Sequence, residues 1–236
     1  LFMLATLALS ACGGGAKTST DSTKAAGEAT ADEPIEIVIS HIADENHTWH
    51  KGSEKFKEVA EEKSGGRLKV TIYPNSQLGN EIDTIQSILT GGGCDITFTA
   101  ESMQTYAEEL GVIGMPYAIK SEEQLYKVLD GEVGKEMEEI MLNSGMRVLG
   151  YYVRGPRNIT SNTPIKTPDD LKGFIIRTPQ SPMTVAAFEA MGAKPTPMAF
   201  SEVFTSLQQG VINGQENPLA MIKSGSLYEV QKYVNE

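Results

Sequence analysis

The feature that most constrains this chain is an alternation of β-branched, strand-like runs with stretches of helical hydrophobic period, repeated through its first half. Residues 35–39, Ile-Glu-Ile-Val-Ile, have the β-branched density of a strand in a two-faced sheet. Over 49–63, Phe56, Val59 and Ala60 recur at helical spacing among Lys and Glu, and Gly65-Gly66 ends the run as a C-terminal cap does. A strand over 68–73, a helix over 81–89 with Ile82, Ile85, Ile88 and Leu89 on one stripe, the Gly91-Gly92-Gly93 break and a strand over 94–99 continue the alternation. Such alternation predicts a parallel sheet in an α/β protein. A charged amphipathic helix over 121–143 leads through Gly145 into 146–152, an apolar and aromatic stretch that reads as a strand crossing between lobes. A second α/β unit follows. It has a short buried strand over 174–176, a helix over 182–191 opened by Pro182 and stopped by Gly192, and a helix over 202–209 opened by Ser201. The chain stops in the amphipathic segment 228–234. Its 236 residues suffice for two lobes of about 100 residues each, expected over 34–152 and 153–236 with a ligand cleft between them.

The first residues belong to another category. LFMLATLALSAC, residues 1–12, is an apolar run too short to span a bilayer, which needs about 20 residues, and it ends at a small-residue site. Leu9-Ser10-Ala11-Cys12 resembles a bacterial lipobox, which implies a lipoprotein signal peptide and acylation at Cys12. Residues 13–33 contain no large apolar side chain and are expected to form a disordered tether. No basic segment or initiator Met precedes the apolar run, and no second crossing completes the first lobe, so the sequence is expected to begin inside its gene and to be truncated at its C-terminus.

Charge narrows the partners. With 20 Lys and Arg against 31 Asp and Glu, a net −11, the chain lacks the basic field that nucleic acid or an anionic membrane surface requires. Its two cysteines, Cys12 and Cys94, suggest neither a disulfide framework nor a metal-ligand spacing, and no cofactor is expected. Cys94 reads as a small buried residue. Two arginines stand out instead, because a guanidinium fork pairs bidentately with a carboxylate and binds best where water is excluded. Arg177 directly follows the buried strand 174–176, at the C-terminal end where open α/β sheets bind ligands, and Arg157 lies in the stiffened Gly155-Pro156-Arg157-Asn158 segment.

A series of motifs, Arg157-Asn158-Ile159-Thr160-Ser161-Asn162, Thr167-Pro168-Asp169-Asp170-Leu171-Lys172-Gly173, Ile176-Arg177-Thr178-Pro179, 195–203 (PTPMAFSEV) and Gly214-Gln215-Glu216-Asn217-Pro218-Leu219, resembles the substrate-binding protein of tripartite ATP-independent periplasmic (TRAP) transporters. Tyr73-Pro74-Asn75-Ser76-Gln77-Leu78-Gly79 extends the resemblance through the first half. It implies a two-lobed periplasmic-binding-protein-like fold closing on a small organic acid, with Arg177 pairing with the carboxylate and Arg157 adding donors. By the same correspondence Asn217 hydrogen-bonds the carboxylate, Phe200 lines the pocket, Glu101 reads hydroxyl or amine groups from the opposite lobe, and Gln180 is a further candidate. Asn80 stands where relatives selective for sialic acid carry an acidic residue, which argues against that sugar. The implied protein is a monomeric receptor at the periplasm or the outer face of the cytoplasmic membrane, held there by lipid alone, that delivers its ligand to two integral membrane subunits. Sugar acids such as uronates are favoured over C4-dicarboxylates and hydroxy acids, since no second cation is evident in the first lobe.

His41, His47 and His50 fall within ten residues, but no carboxylate or cysteine pattern completes a metal site, and His47 serves as easily as a neutral donor to a ligand hydroxyl. Two other classes compete with transport. A ligand-sensing receptor could use the same fold. A lipid-anchored hydrolase would need a nucleophile with a base nearby; no Gly-x-Ser-x-Gly motif is present, and Glu101 and Asp95 lie too far apart along a strand to act as acid and base unless the chain turns after Ala100.

Overall fold

A computed structural model describes residues 33–235. The signal segment, Cys12 and tether residues 13–32 lie outside the described residues. Strand β1 (Ile35–Ser40) is followed by helix α1 (Thr48–Lys63), β2 (Leu68–Tyr73), α2 (Glu81–Thr90) and β3 (Ile96–Thr97). These strands form a parallel sheet in the order β2-β1-β3, with Ile35 opposite Leu68 and Ile39 opposite Ile96. Local chemistry fixes the helix ends. Asn80 and Asp83 make a reciprocal capping box on α2, and Gly91 closes it in the left-handed conformation at φ 66°. The buried face of α1 differs from the expected stripe: Trp49 and Ser53 point inward, whereas Phe56 is 39% exposed.

Three expectations for the first half fail. The strand over 94–99 shrinks to two residues because Asp95 Oδ2, not a backbone carbonyl, accepts the Val38 N–H at 2.8 Å. The helix over 121–143 divides into α3 (Glu122–Leu129) and α4 (Glu132–Asn143). Gly134 allows that turn: a Cβ there would lie 1.7 Å from the Leu129 carbonyl oxygen. Residues 146–152 form no strand. Met146 is buried, and Val148 and Tyr151 pack on the α2–α4 core, but Leu149 and Tyr152 are 66% and 68% exposed. The apolar and aromatic content is present, but no described strand supplies the hydrogen bonds that would make it a ladder.

The second sheet is mixed rather than parallel. It contains β4 (Arg157–Ser161), β5 (Ile175–Thr178), β6 (Lys194–Pro197), β7 (Gly214–Pro218) and β8 (Tyr233–Asn235), ordered β6-β5-β7-β4-β8. Both neighbours of β5 are parallel to it, and both neighbours of β4 are antiparallel. The 228–234 segment therefore becomes an edge strand after a 3₁₀ turn at Leu227–Glu229. Helix α5 (Pro182–Ala190) is as expected, α6 (Val203–Gln208) is preceded by a 3₁₀ turn at Phe200–Glu202, and α7 (Leu219–Ser224) follows β7 directly.

The two sheet units touch at few points. Met221 of α7, fully buried, packs with Ala43 and Trp49 beside Phe98 and Phe200. Gln104 Nε2 donates to Ser181 Oγ at 2.7 Å, its Oε1 accepts the Met183 N–H at 2.8 Å, and the Asp44 N–H donates to Ser224 Oγ at 2.9 Å. A cleft remains between these contacts.

Candidate functional site: an arginine-lined cleft

The cleft holds about 430 Å³ of atom-free space, counting the part open to solvent. From the first unit it is lined by Ile42, by Asn80 and Glu81 at the start of α2, and by Glu101 and Ser102 of a 3₁₀ turn. The second unit and the segment leading to it contribute Arg154, Arg157, Arg177, Pro179, Gln180, Met198, Ala199, Phe200, Asn217 and Met221. The structure thus brings Arg157, Arg177, Asn217, Glu101, Phe200, Asn80 and Gln180 together. His47 does not line the cleft: it caps α1, its Nδ1 accepting the Trp49 N–H at 3.1 Å, with its ring edge-on to Trp49. The other two histidines pair with each other, His41 Nε2 to His50 Nδ1 at 3.2 Å. Among the described residues, no three His, Cys, Asp or Glu side chains converge as a metal site would.

Both arginines sit within strands rather than beyond them. Arg157 opens β4, and its fork is already engaged. Nε and Nη2 grip the Glu216 carboxylate, Nη2 also reaches Asn217 Oδ1 at 3.2 Å, and Nη1 donates to Glu101 Oε1 at 3.0 Å. Burial opposes its charge, but Glu101 and Glu216 outweigh that and push its pKa up. Glu101 is equally committed, since Arg154 Nη2 contacts its two oxygens at 3.2 and 3.1 Å. Burial alone would raise the Glu101 pKa; Arg157 and Arg154 hold it at about 2. Asn217 Nδ2 donates to Gln215 Oε1 at 2.6 Å.

Arg177 is different. It lies in β5, opposite Thr196 of β6 and Gln215 of β7, and is 4% exposed. Its Nε and Nη2 donate to the Met198 carbonyl at 3.1 and 2.7 Å, and the guanidinium carbon lies 6.0 Å from the Phe200 ring centroid. It has no carboxylate ion pair among the described residues. Burial pulls its pKa down to about 10. Among the described residues the cleft wall therefore holds a buried guanidinium with no carboxylate at ion-pair distance, which is costly and favours an anion that can pair with it.

Three cleft groups escaped the sequence reading. Arg154 is three residues before Arg157, and its guanidinium lies 5.3 Å from the Trp49 ring centroid. Glu216 is the central residue of the Gly-Gln-Glu-Asn-Pro motif, and Glu81 adjoins Asn80. Nothing in local sequence says which of several nearby charges a fold will turn inward. The rival acid–base pair is not assembled either. The chain does turn after Ala100, but Asp95 is spent on the Val38 N–H, away from the cleft. Cys94 is buried, and burial raises its thiol pKa.

Comparison with known proteins identifies the family. The family model described as bacterial extracellular solute-binding protein, family 7, matches residues 39–236. A solute-binding protein of Roseobacter denitrificans is 44% identical over 205 residues, covering 86% of this chain and 63% of the relative. The 2,3-diketo-L-gulonate-binding periplasmic protein of Escherichia coli is 36% identical over 188 residues, covering 79% and 57%. The chain thus spans less than two thirds of the length of either relative. A crystal structure of a TRAP periplasmic solute-binding protein from Roseobacter denitrificans with bound L-galactonate superimposes with a TM-score of 0.82 at 44% identity, covering 84% of this chain and 66% of that one. The chain belongs to the bacterial extracellular solute-binding proteins of family 7, a non-catalytic family that includes the periplasmic receptors of TRAP transporters.

Proposed function

We propose that this protein captures a sugar acid in the cleft and delivers it to the two membrane subunits of a TRAP transporter, from the periplasm or the outer face of the membrane. Anchoring through Cys12 belongs to the same reading. The observation that carries it is Arg177, a buried guanidinium in the cleft wall with no ion-pair partner among the described residues. A ligand carboxylate would supply that charge, with Phe200 closing over the fork and Gln180, Asn80 and the second Asn217 N–H available to hydroxyl groups. Arg154 and Arg157 are already paired with Glu101 and Glu216, so one guanidinium remains without an ion-pair partner among the described residues. That count favours a monocarboxylate over a C4-dicarboxylate, in keeping with the sugar acids named for the two relatives above. Groups from both units line the cleft, so a ligand touching both would favour closure by its differential affinity for the closed form.

The test is a thermal-shift and calorimetric screen of the full mature protein against aldonates, uronates, diketogulonate and C4-dicarboxylates, with Arg177→Ala alongside. One sugar acid should raise the melting temperature of the wild type and not of the variant. A preference for dicarboxylates would refute the charge count, and no shift with any acid would refute carboxylate capture.

A further inference from the structure

Two charged groups lining the cleft belong to no ion pair among the described residues: Arg177 from β5 and Glu81 from the first turn of α2. They have opposite signs and come from opposite units. Among the described residues Glu81 is hydrogen-bonded by hydroxyls, accepting from Thr99 Oγ1 at 3.3 Å and from Ser102. The charged groups that act on it are Arg154 before β4, Arg157 on β4, Arg177 on β5 and Glu101 on the 3₁₀ turn. With Glu216 included, three guanidinium groups face three carboxylates, so the empty cleft is neutral when Glu81 is ionised. An organic anion bound at Arg177 would leave a net negative charge in a closed, water-poor site, at a large desolvation cost.

We propose that Glu81 is the proton-linked residue of this site: capture of an organic anion at Arg177 is accompanied by uptake of one proton from solvent onto the Glu81 carboxyl, which then donates a hydrogen bond to a ligand oxygen. The inference rests on the sugar-acid reading above and adds a specificity element to it. A protonated carboxyl in the first unit selects a hydroxyl or oxo oxygen and discriminates against a second carboxylate only above the pH where it ionises. Burial already raises the Glu81 pKa, against the lowering effect of Arg154, and a bound anion raises it further. Affinity is then highest below the unliganded Glu81 pKa and falls as pH rises through and above it, by up to tenfold per pH unit for one linked proton.

Calorimetry with L-galactonate, and with whichever acid of the screen shifts the melt most, is performed from about pH 6 to about pH 8.5 in buffers of low and high ionisation enthalpy. These acids are ionised throughout that range, so any proton taken up belongs to the protein. Wild type should take up a substantial fraction of a proton per ligand, with Kd rising with pH, whereas Glu81→Gln should show a flat Kd and no buffer dependence. Tight, Arg177-dependent binding without proton uptake in wild type would overturn the proposal and leave the capture reading intact. So would proton uptake that persists in Glu81→Gln. Absence of binding by any acid would remove both. The buffer comparison on wild type needs no variant, so misfolding of Glu81→Gln would not shield the proposal.

Discussion

Replacing Arg177 with methionine should separate a group held ready for a ligand from a structural strut. The guanidinium is 4% exposed, and burial pulls its pKa well below the usual arginine value, to about 10. At about 1.4 kcal/mol per pKa unit, keeping it charged near neutrality costs the unliganded fold about 3 kcal/mol. The sign is consistent: this is a base whose folded pKa is depressed, so the penalty is fully present below about pH 10 and is relieved as pH rises past it. Methionine removes that penalty at similar volume. It also orphans the Met198 carbonyl, which accepts two of the guanidinium's hydrogen bonds, at a cost of about 1–3 kcal/mol. The net expectation is an unliganded protein more stable by about 1 kcal/mol, corresponding to about 2–4 °C in Tm for a domain of this size. Ligand affinity should move the other way by at least about 2 kcal/mol, a loss of about thirtyfold or more, because a desolvated charge-assisted pair is lost. Urea unfolding without ligand and calorimetry with the acid identified by screening measure the two halves. A variant destabilised by more than about 1 kcal/mol without ligand would refute the reasoning. It would mean that the Met198 and Phe200 contacts outweigh desolvation and that Arg177 is there for the fold.

Three further outcomes follow from the same geometry. Asn80→Ala removes the capping box of α2 and should cost about 1 kcal/mol in chemical denaturation; no change would mean that the cap contributes nothing to stability. Gly214→Ala places a Cβ 2.1 Å from the Thr160 carbonyl oxygen across the β4–β7 pair, so the variant should not yield folded protein, and a wild-type Tm would contradict the register. His41 is 1% exposed, and burial, then His50, lower its pKa from 6.5 to about 4. The neutral ring's contribution is complete above pH 6.5 and disappears as pH falls toward 4, a loss of about 3 kcal/mol that His41→Asn should abolish in pH-dependent urea titrations.

Local pattern was sufficient wherever the determinant was local. The strands at Ile35–Ser40 and Leu68–Tyr73 and the helices α1, α2 and α5 follow from period, capping residues and glycine stops, because each of these acts within a few residues of itself. The stretch 146–152 shows the limit: its apolar and aromatic content is that of a strand, but a strand exists only where another strand accepts its hydrogen bonds, and that partner is not encoded in the segment. The antiparallel place of β4 between β7 and β8 is a non-local outcome of the same kind.

The cleft divides along the same line. Sequence by itself determined that residues around 157, 177 and 217 carry the motifs of the extracellular solute-binding family, but it put Arg177 just beyond the strand 174–176, whereas the structure holds it within β5. Only the tertiary structure decided which charges are spent on one another. Glu101 and Glu216 neutralise Arg154 and Arg157 across separations of 53 to 59 residues, leaving Arg177 and Glu81 unpaired in one cleft. The physical reason is that a charge's role depends on its distance to other charges and to water, and chain folding sets both of those quantities.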